Sequence, residues 1–109
     1  MDTPGYDIAS VTSMVAGGCS LVVFTTGRGT PTGNAIAPVI KITGNKITYE
    51  KMHDNIDIDV SDITEGLKIP KEMSEVLLDE LIKVCNGKVT KAEAFGFSDI
   101  AIDHICRFV

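Results

Sequence analysis

Leu21-Val22-Val23-Phe24-Thr25-Thr26-Gly27-Arg28-Gly29-Thr30-Pro31-Thr32-Gly33 runs an apolar segment straight into a turn of hydroxyls, glycines and one guanidinium. Leu-Val-Val-Phe is too short and too β-prone for a helix, so residues 20–25 read as a buried strand. A strand that opens into such a turn is how open α/β sheets present groups to a ligand at their carboxyl edge. Thr25, Thr26 and Thr30 offer hydroxyls, and Arg28 offers a planar fork suited to a carboxylate or phosphate. Gly27 and Gly29 lack Cβ atoms, which lets backbone N–H groups approach an anion. The turn has the chemistry of a small-anion site; as a bland alternative, glycine-rich turns often serve only to reverse the chain.

On either side the periodicity changes. Pro4-Gly5 marks a turn, with Asp7 as the expected N-cap of a short helix from about Ile8. Ile8, Val11 and Val15 share one face of it, and Gly17-Gly18 ends it. Residues 26–37 form a Gly/Pro/Thr loop, and Pro38 to Thr43 reads as a second strand closed by Gly44-Asn45. Residues 46–53 suit a short helix or the continuation of a hairpin; the helix is preferred. Ile56 to Val60 alternates as a half-buried strand does, and 62–70 is a connector. From Lys71 to Cys85, Met73, Leu77, Leu81 and Val84 repeat at helical spacing, and Asn86-Gly87 supplies a left-handed stop. Thr90-x-x-Glu93 is a capping box for a last helix ending near Gly96. Ile100 to Val109 suits a final strand or extended arm. The expected fold is α/β: one layered domain over 1–109, with a short mixed or parallel sheet of about four strands and helices packed on it.

Composition narrows the function. The chain has 109 residues, 44% hydrophobic and 23% charged, which is ordinary for one globular domain with its own core. Net charge is −5 without a Lys/Arg block, so neither nucleic acid nor an anionic membrane is an expected partner. No apolar run nears the ~20 residues a bilayer span needs, and no basic-then-apolar leader opens the chain. Cys19, Cys85 and Cys106 form no C-x-x-C pair and lie in or beside apolar segments, which suits buried reduced thiols in the cytoplasm. Assembly as a homo-oligomer stays open.

Several constellations can be weighed against known chemistry. Gly27, Gly29 and Gly33 are spaced G-x-G-x-x-x-G, one residue too long for a dinucleotide fingerprint, and a strand rather than a helix follows Pro31. No Gly-Lys-Ser/Thr is present, so the layered fold is Rossmann-like without a nucleotide signature. Lys41, alone in an apolar strand, is either an edge-strand gatekeeper facing solvent or a second cation for an anionic ligand. Asp57 and Asp59 at i, i+2 suit a solvated strand face. His53 and His104 have no ligand partner at regular spacing, and nothing marks a general base.

Phe24-Thr25-Thr26-Gly27-Arg28-Gly29-Thr30 resembles the FTTGRG motif of the altronate and galactarate dehydratase family. Met1-Asp2-Thr3-Pro4-Gly5 resembles the DTPG that precedes it there, Val15-Ala16-Gly17-Gly18 matches the intervening helix end, and Ala37 to Ile42 matches the strand that follows. The similarity fades after Asp57 and returns at Asn86 to Glu93. As an ordered set these motifs are specific. Members of that family are much longer, with these motifs in their C-terminal part, so the resemblance implies either a C-terminal fragment of a sugar-acid hydro-lyase, the preferred reading, or a stand-alone relative of its last domain. It implies a substrate site drawing on Asp2, Thr25, Thr26, Gly27, Arg28, Gly29, Thr30, Lys41 and Asp57; for Asp2 a local Asx-turn is the alternative. It also implies a divalent metal, iron as Fe²⁺, in the full-length enzyme, with no cofactor expected on this chain alone. The implied partners are an anionic sugar acid and the rest of the enzyme chain. A sulfolactate sulfo-lyase is a close variant, and a non-catalytic anion-binding or assembly module is the alternative from another class.

Overall fold

The structure, a computed structural model, describes residues 3–102. The expectations for Asp2, His104 and Cys106, and most of the expected C-terminal strand or arm, lie outside the described residues. The elements in order are α1 (Asp7–Ala16), β1 (Val22–Thr25), β2 (Val39–Thr43), α2 (Lys46–Lys51), β3 (Ile58–Asp59), α3 (Ser61–Thr64), α4 (Pro70–Cys85) and α5 (Lys91–Ala94). The sheet runs β1-β2-β3 and is parallel throughout, with Val22 beside Val39 and Ile42 beside Ile58. Three strands stand among the described residues where about four were expected. Residues 100–102 add none.

β2 is the centre, and all five of its residues are buried. A strand flanked on both sides and covered on both faces is largely apolar on both, which explains its Val39, Ile40 and Ile42, with Lys41 and Thr43 as buried polar exceptions. Successive side chains point to opposite faces. On one face Val39 packs with Val22 and Val11 of α1, with Met14, Val15 and Phe24 at the margin. On the other, Ile40 and Ile42 pack with Ile58 and with Val84 of α4, backed by Leu77 and Leu81. The helical spacing of those α4 residues is therefore its core stripe, as its sequence indicates. The result is the expected α/β layering.

Helix ends depart from expectation in two places. Asp7 is not the cap of α1. Tyr6 holds that position and does not cap the helix through its side chain, and Asp7 lies in the first turn, where a carboxylate complements the helix dipole. Overlapping the start of the expected connector, Ser61–Thr64 forms one helical turn, its first amide received by Asp59 Oδ1 at 2.8 Å. The Thr90 capping box is present: Glu93 N donates to Thr90 Oγ1, and Thr90 N donates to Glu93 Oε2 at 2.8 Å.

Candidate functional site

The carboxyl ends of the three parallel strands open into a cleft of about 320 Å³ lined by Thr25, Thr26, Gly27, Ile42, Gly44, Asn45, Val60 and Thr64. This is the edge at which open α/β sheets meet their ligands. Thr25, Thr26 and Gly27 reach it because β1 ends at Thr25 and Thr26 N still donates to Ile42 O at 2.9 Å. The pairing holds the chain to the sheet one residue past the strand. Beyond that point the backbone leaves the sheet.

The turn that follows is internally braced. Gly29 N donates to Thr26 Oγ1 at 3.0 Å, which closes it locally. Gly27 O accepts from Thr48 Oγ1 at 2.8 Å and from Asn45 Nδ2 at 3.3 Å, both supplied by the start of α2. Gly29 has φ +87°, and a Cβ there would sit 2.2 Å from Met52 Sδ. Its glycine is a requirement of backbone and packing. Gly27 differs: a Cβ there would meet nothing within 4 Å. Open space above a glycine at a cleft leaves room for a ligand.

The unpaired donors of the turn are not quite those expected. Gly29 N is engaged within the turn, whereas the N–H groups of Gly27 and Arg28 meet no acceptor among the described residues. Arg28 is exposed next to the cleft-lining Gly27, with no ion pair or hydrogen bond on its guanidinium among the described residues. Nearby, Lys46 pairs with Glu65 at 3.4 Å. Thr30 turns inward instead of outward: it is 4% exposed, and its hydroxyl lies 2.7 Å from that of Thr32.

Lys41 is not an edge-strand gatekeeper. It lies mid-way along the central strand with no exposed surface, its Nζ donating to Pro31 O at 3.0 Å and 5.9 Å from the centre of the Phe97 ring. Burial pulls its pKa below the usual lysine value, Asp57 pulls it back up, and Lys91 pushes it further down. Asp57 in turn is not on a solvated face. Its Oδ2 accepts from Lys41 N at 2.7 Å and its Oδ1 from Lys91 N at 2.9 Å, joining β2 to the start of α5. Lys41 thus ties the loop to the central strand, and Asp57 ties that strand to α5.

Other expectations fall away from the cleft. Cys19 and Cys85 are free thiols but exposed, not buried. Cys85 is the last residue of α4. His53 is a surface residue, 3.2 Å from Asp54. Among the described residues no three His, Cys, Asp or Glu side chains gather in a way that would hold a metal ion, so the described side chains do not fit the implied divalent metal. No helix among them is long and apolar enough to cross a membrane. A second cavity of about 340 Å³, between Asn34 to Ala37 and Glu93 to Ser98, has no cation in its lining. Asn45 and Thr48 are the site residues that sequence reasoning missed. In the sequence Asn45 reads as a strand-closing turn, and its position before a possible helix is the signal for its capping role.

The chain is similar in sequence to known proteins over most of its length. The family model for the D-galactarate/altronate dehydratase C-terminal region matches residues 1–107. The chain is 33% identical over 102 residues to the altronate dehydratase of Escherichia coli (strain K12), covering 94% of this chain and 20% of that enzyme. It is 34% identical over 105 residues to the (2R)-sulfolactate sulfo-lyase subunit beta of Chromohalobacter salexigens, covering 96% and 27%. It is also 36% identical over 86 residues to the L-threo-forming galactarate dehydratase of Escherichia coli (strain K12), covering 79% and 16%. The chain thus spans about a quarter or less of the length of these relatives. Matched from end to end but for its last two residues, it belongs to the D-galactarate/altronate dehydratase C-terminal family.

Proposed function

We propose that this chain is the C-terminal domain of a sugar-acid hydro-lyase and supplies the part of its site that receives a substrate carboxylate. The reading is supported by the turn at the carboxyl edge of the sheet: Thr25, Thr26 and Gly27 line the cleft, exposed Arg28 follows Gly27 directly, and the N–H groups of Gly27 and Arg28 meet no acceptor among the described residues. The substrate is an altronate- or galactarate-type acid and the product a 2-keto-3-deoxy acid. Removal of water from such an acid takes the proton α to a carboxylate and expels the β-hydroxyl. The enolate-like intermediate carries two negative charges on one carboxyl group, so fixed cations and N–H donors aimed at that group stabilise it. Arg28 and the two amides have that chemistry.

The domain works with the rest of a longer cytoplasmic enzyme chain, which carries the general base and the divalent metal, iron as Fe²⁺. The 109-residue chain alone therefore turns over neither galactarate nor altronate. A second reading, supported by the similarity to the sulfo-lyase subunit beta, replaces the carboxylate by a sulfonate on the same fork.

The test is made in the longer enzyme carrying this domain. A charge-assisted contact of this kind contributes about 1.5–3 kcal/mol, so Arg28→Ala should lower kcat/KM by roughly ten- to a hundredfold. Arg28→Lys should recover only part of it, because an ammonium keeps the charge and loses the fork. The melting temperature of both variants should stay near wild type, since Arg28 is an exposed loop residue. Unchanged kinetics in Arg28→Ala, or turnover by the 109-residue chain alone, contradicts the proposal.

A further inference from the structure

The Gly27 carbonyl is gripped from one side by two side chains of the same segment. Thr48 Oγ1 donates to it at 2.8 Å and Asn45 Nδ2 at 3.3 Å. A trans peptide is planar, with its C=O and N–H pointing in opposite directions. A Gly27 carbonyl held toward α2 therefore turns the Arg28 N–H away from α2, where no acceptor among the described residues meets it. Neither grip on that carbonyl is needed for the fold of α2 itself. Asn45 caps the helix with its other atom, Oδ1, which accepts from Ile47 N and Thr48 N at 3.1 and 3.3 Å. The Thr48 side chain is buried, yet its hydroxyl reaches out of the helix to the turn.

We infer that Thr48 and Asn45 are positioning residues that lock the Gly27–Arg28 peptide with its N–H presented to an anionic ligand. The inference rests on the reading of the Thr25 to Arg28 turn as a carboxylate-binding edge, and names the device that preorganises it. Without the lock the peptide loses the two bonds that fix its carbonyl, and glycine at 27, having no Cβ, restricts the backbone there least of all residues. A rotated peptide presents its carbonyl oxygen to the anion, which repels it. Neither residue touches the ligand in this scheme. Both act through the orientation of one peptide group, as a preorganised donor requires.

Thr48→Val keeps the shape, the β-branching and the helix preference of the residue while removing the hydroxyl. Thr48→Ser keeps the hydroxyl. Galactarate is titrated into the 109-residue wild-type chain and into the Thr48→Val, Thr48→Ser and Arg28→Ala variants, followed by calorimetry and by the NMR shift of the Arg28 amide, with the melting temperature of each recorded. Thr48→Val is expected to weaken galactarate binding about three- to tenfold, as the loss of one oriented hydrogen bond does, and to reduce the shift of the Arg28 amide at saturation. Thr48→Ser should restore both readouts. A merely structural role for the hydroxyl would lower the melting temperature without altering affinity in the folded fraction. If Thr48→Val binds as wild type while Arg28→Ala does not, the lock is wrong and the anion site stands. If galactarate fails to bind wild type, or binds Arg28→Ala equally well, the anion site fails and the lock with it.

Discussion

The two glycines flanking Arg28 do different work, although the sequence presents them as a symmetrical pair. Gly29 sits at φ +87° against Met52, so Gly29→Ala must strain the backbone and displace the methionine. The left-handed backbone alone costs a non-glycine residue about 1–2 kcal/mol, and a thermal melt should show at least that loss. Gly27→Ala has no such penalty, with nothing within 4 Å of the new methyl. It should melt near wild type and hinder only the approach of a ligand. Equal losses of stability for the two variants would contradict this division. Lys41 carries a second residue-scale expectation. Its folded pKa is lowered, chiefly by burial, below the ordinary value of 10.5. The fold therefore disfavours the charged form, a penalty that is present at neutral pH and disappears as pH rises through the folded pKa toward 10.5. Lys41→Met lacks that gain. The stability of the variant relative to wild type should therefore fall as pH rises from neutral toward 10.5 in paired denaturant titrations. A flat difference would mean that Lys41 titrates as a free lysine does.

At the scale of elements, α2 is the piece that joins sheet to site. Asn45 caps it through Oδ1 and holds the Gly27 carbonyl through Nδ2. Asn45→Ala removes both contacts, and loss of an N-cap costs about 1 kcal/mol. Equilibrium unfolding should show a loss of that order; a value near zero would mean that α2 is held by packing alone. Much of the element plan was legible from the chain. The α4 stripe of Met73, Leu77, Leu81 and Val84 and the Thr90–Glu93 box are local patterns, which sequence states directly. What escaped notice was non-local. Ser61–Thr64 is a single turn started by an aspartate in the preceding strand, too short for any periodicity. Lys41 looked like an edge residue because one polar side chain in an apolar run usually faces water. That β2 is the central strand, covered by α1 on one face and α4 on the other, depends on pairing that no window of sequence contains. Asp57 hides for the same reason, since its partner amides at Lys41 and Lys91 lie 16 and 34 residues away.

For the whole molecule, the layers place the candidate site at one edge of the sheet and leave it open. The net charge of −5 gives no general attraction for an anion, so affinity must come from the few donors fixed at the turn. That makes the site local and its occupancy easy to map. The candidate residues Thr25 to Arg28 could be named from the sequence because they lie consecutively at a strand end. Their support from α2 could not, because it depends on how the chain returns to them after β2. The most direct measurement is an NMR titration of the ¹⁵N-labelled 109-residue chain with galactarate. Saturable shifts are expected at the amides of Thr26, Gly27 and Arg28, lost in Arg28→Ala. Shifts centred instead on Asn34 to Ala37 and Phe97, or unchanged by Arg28→Ala, would rule out a carboxylate site at this turn.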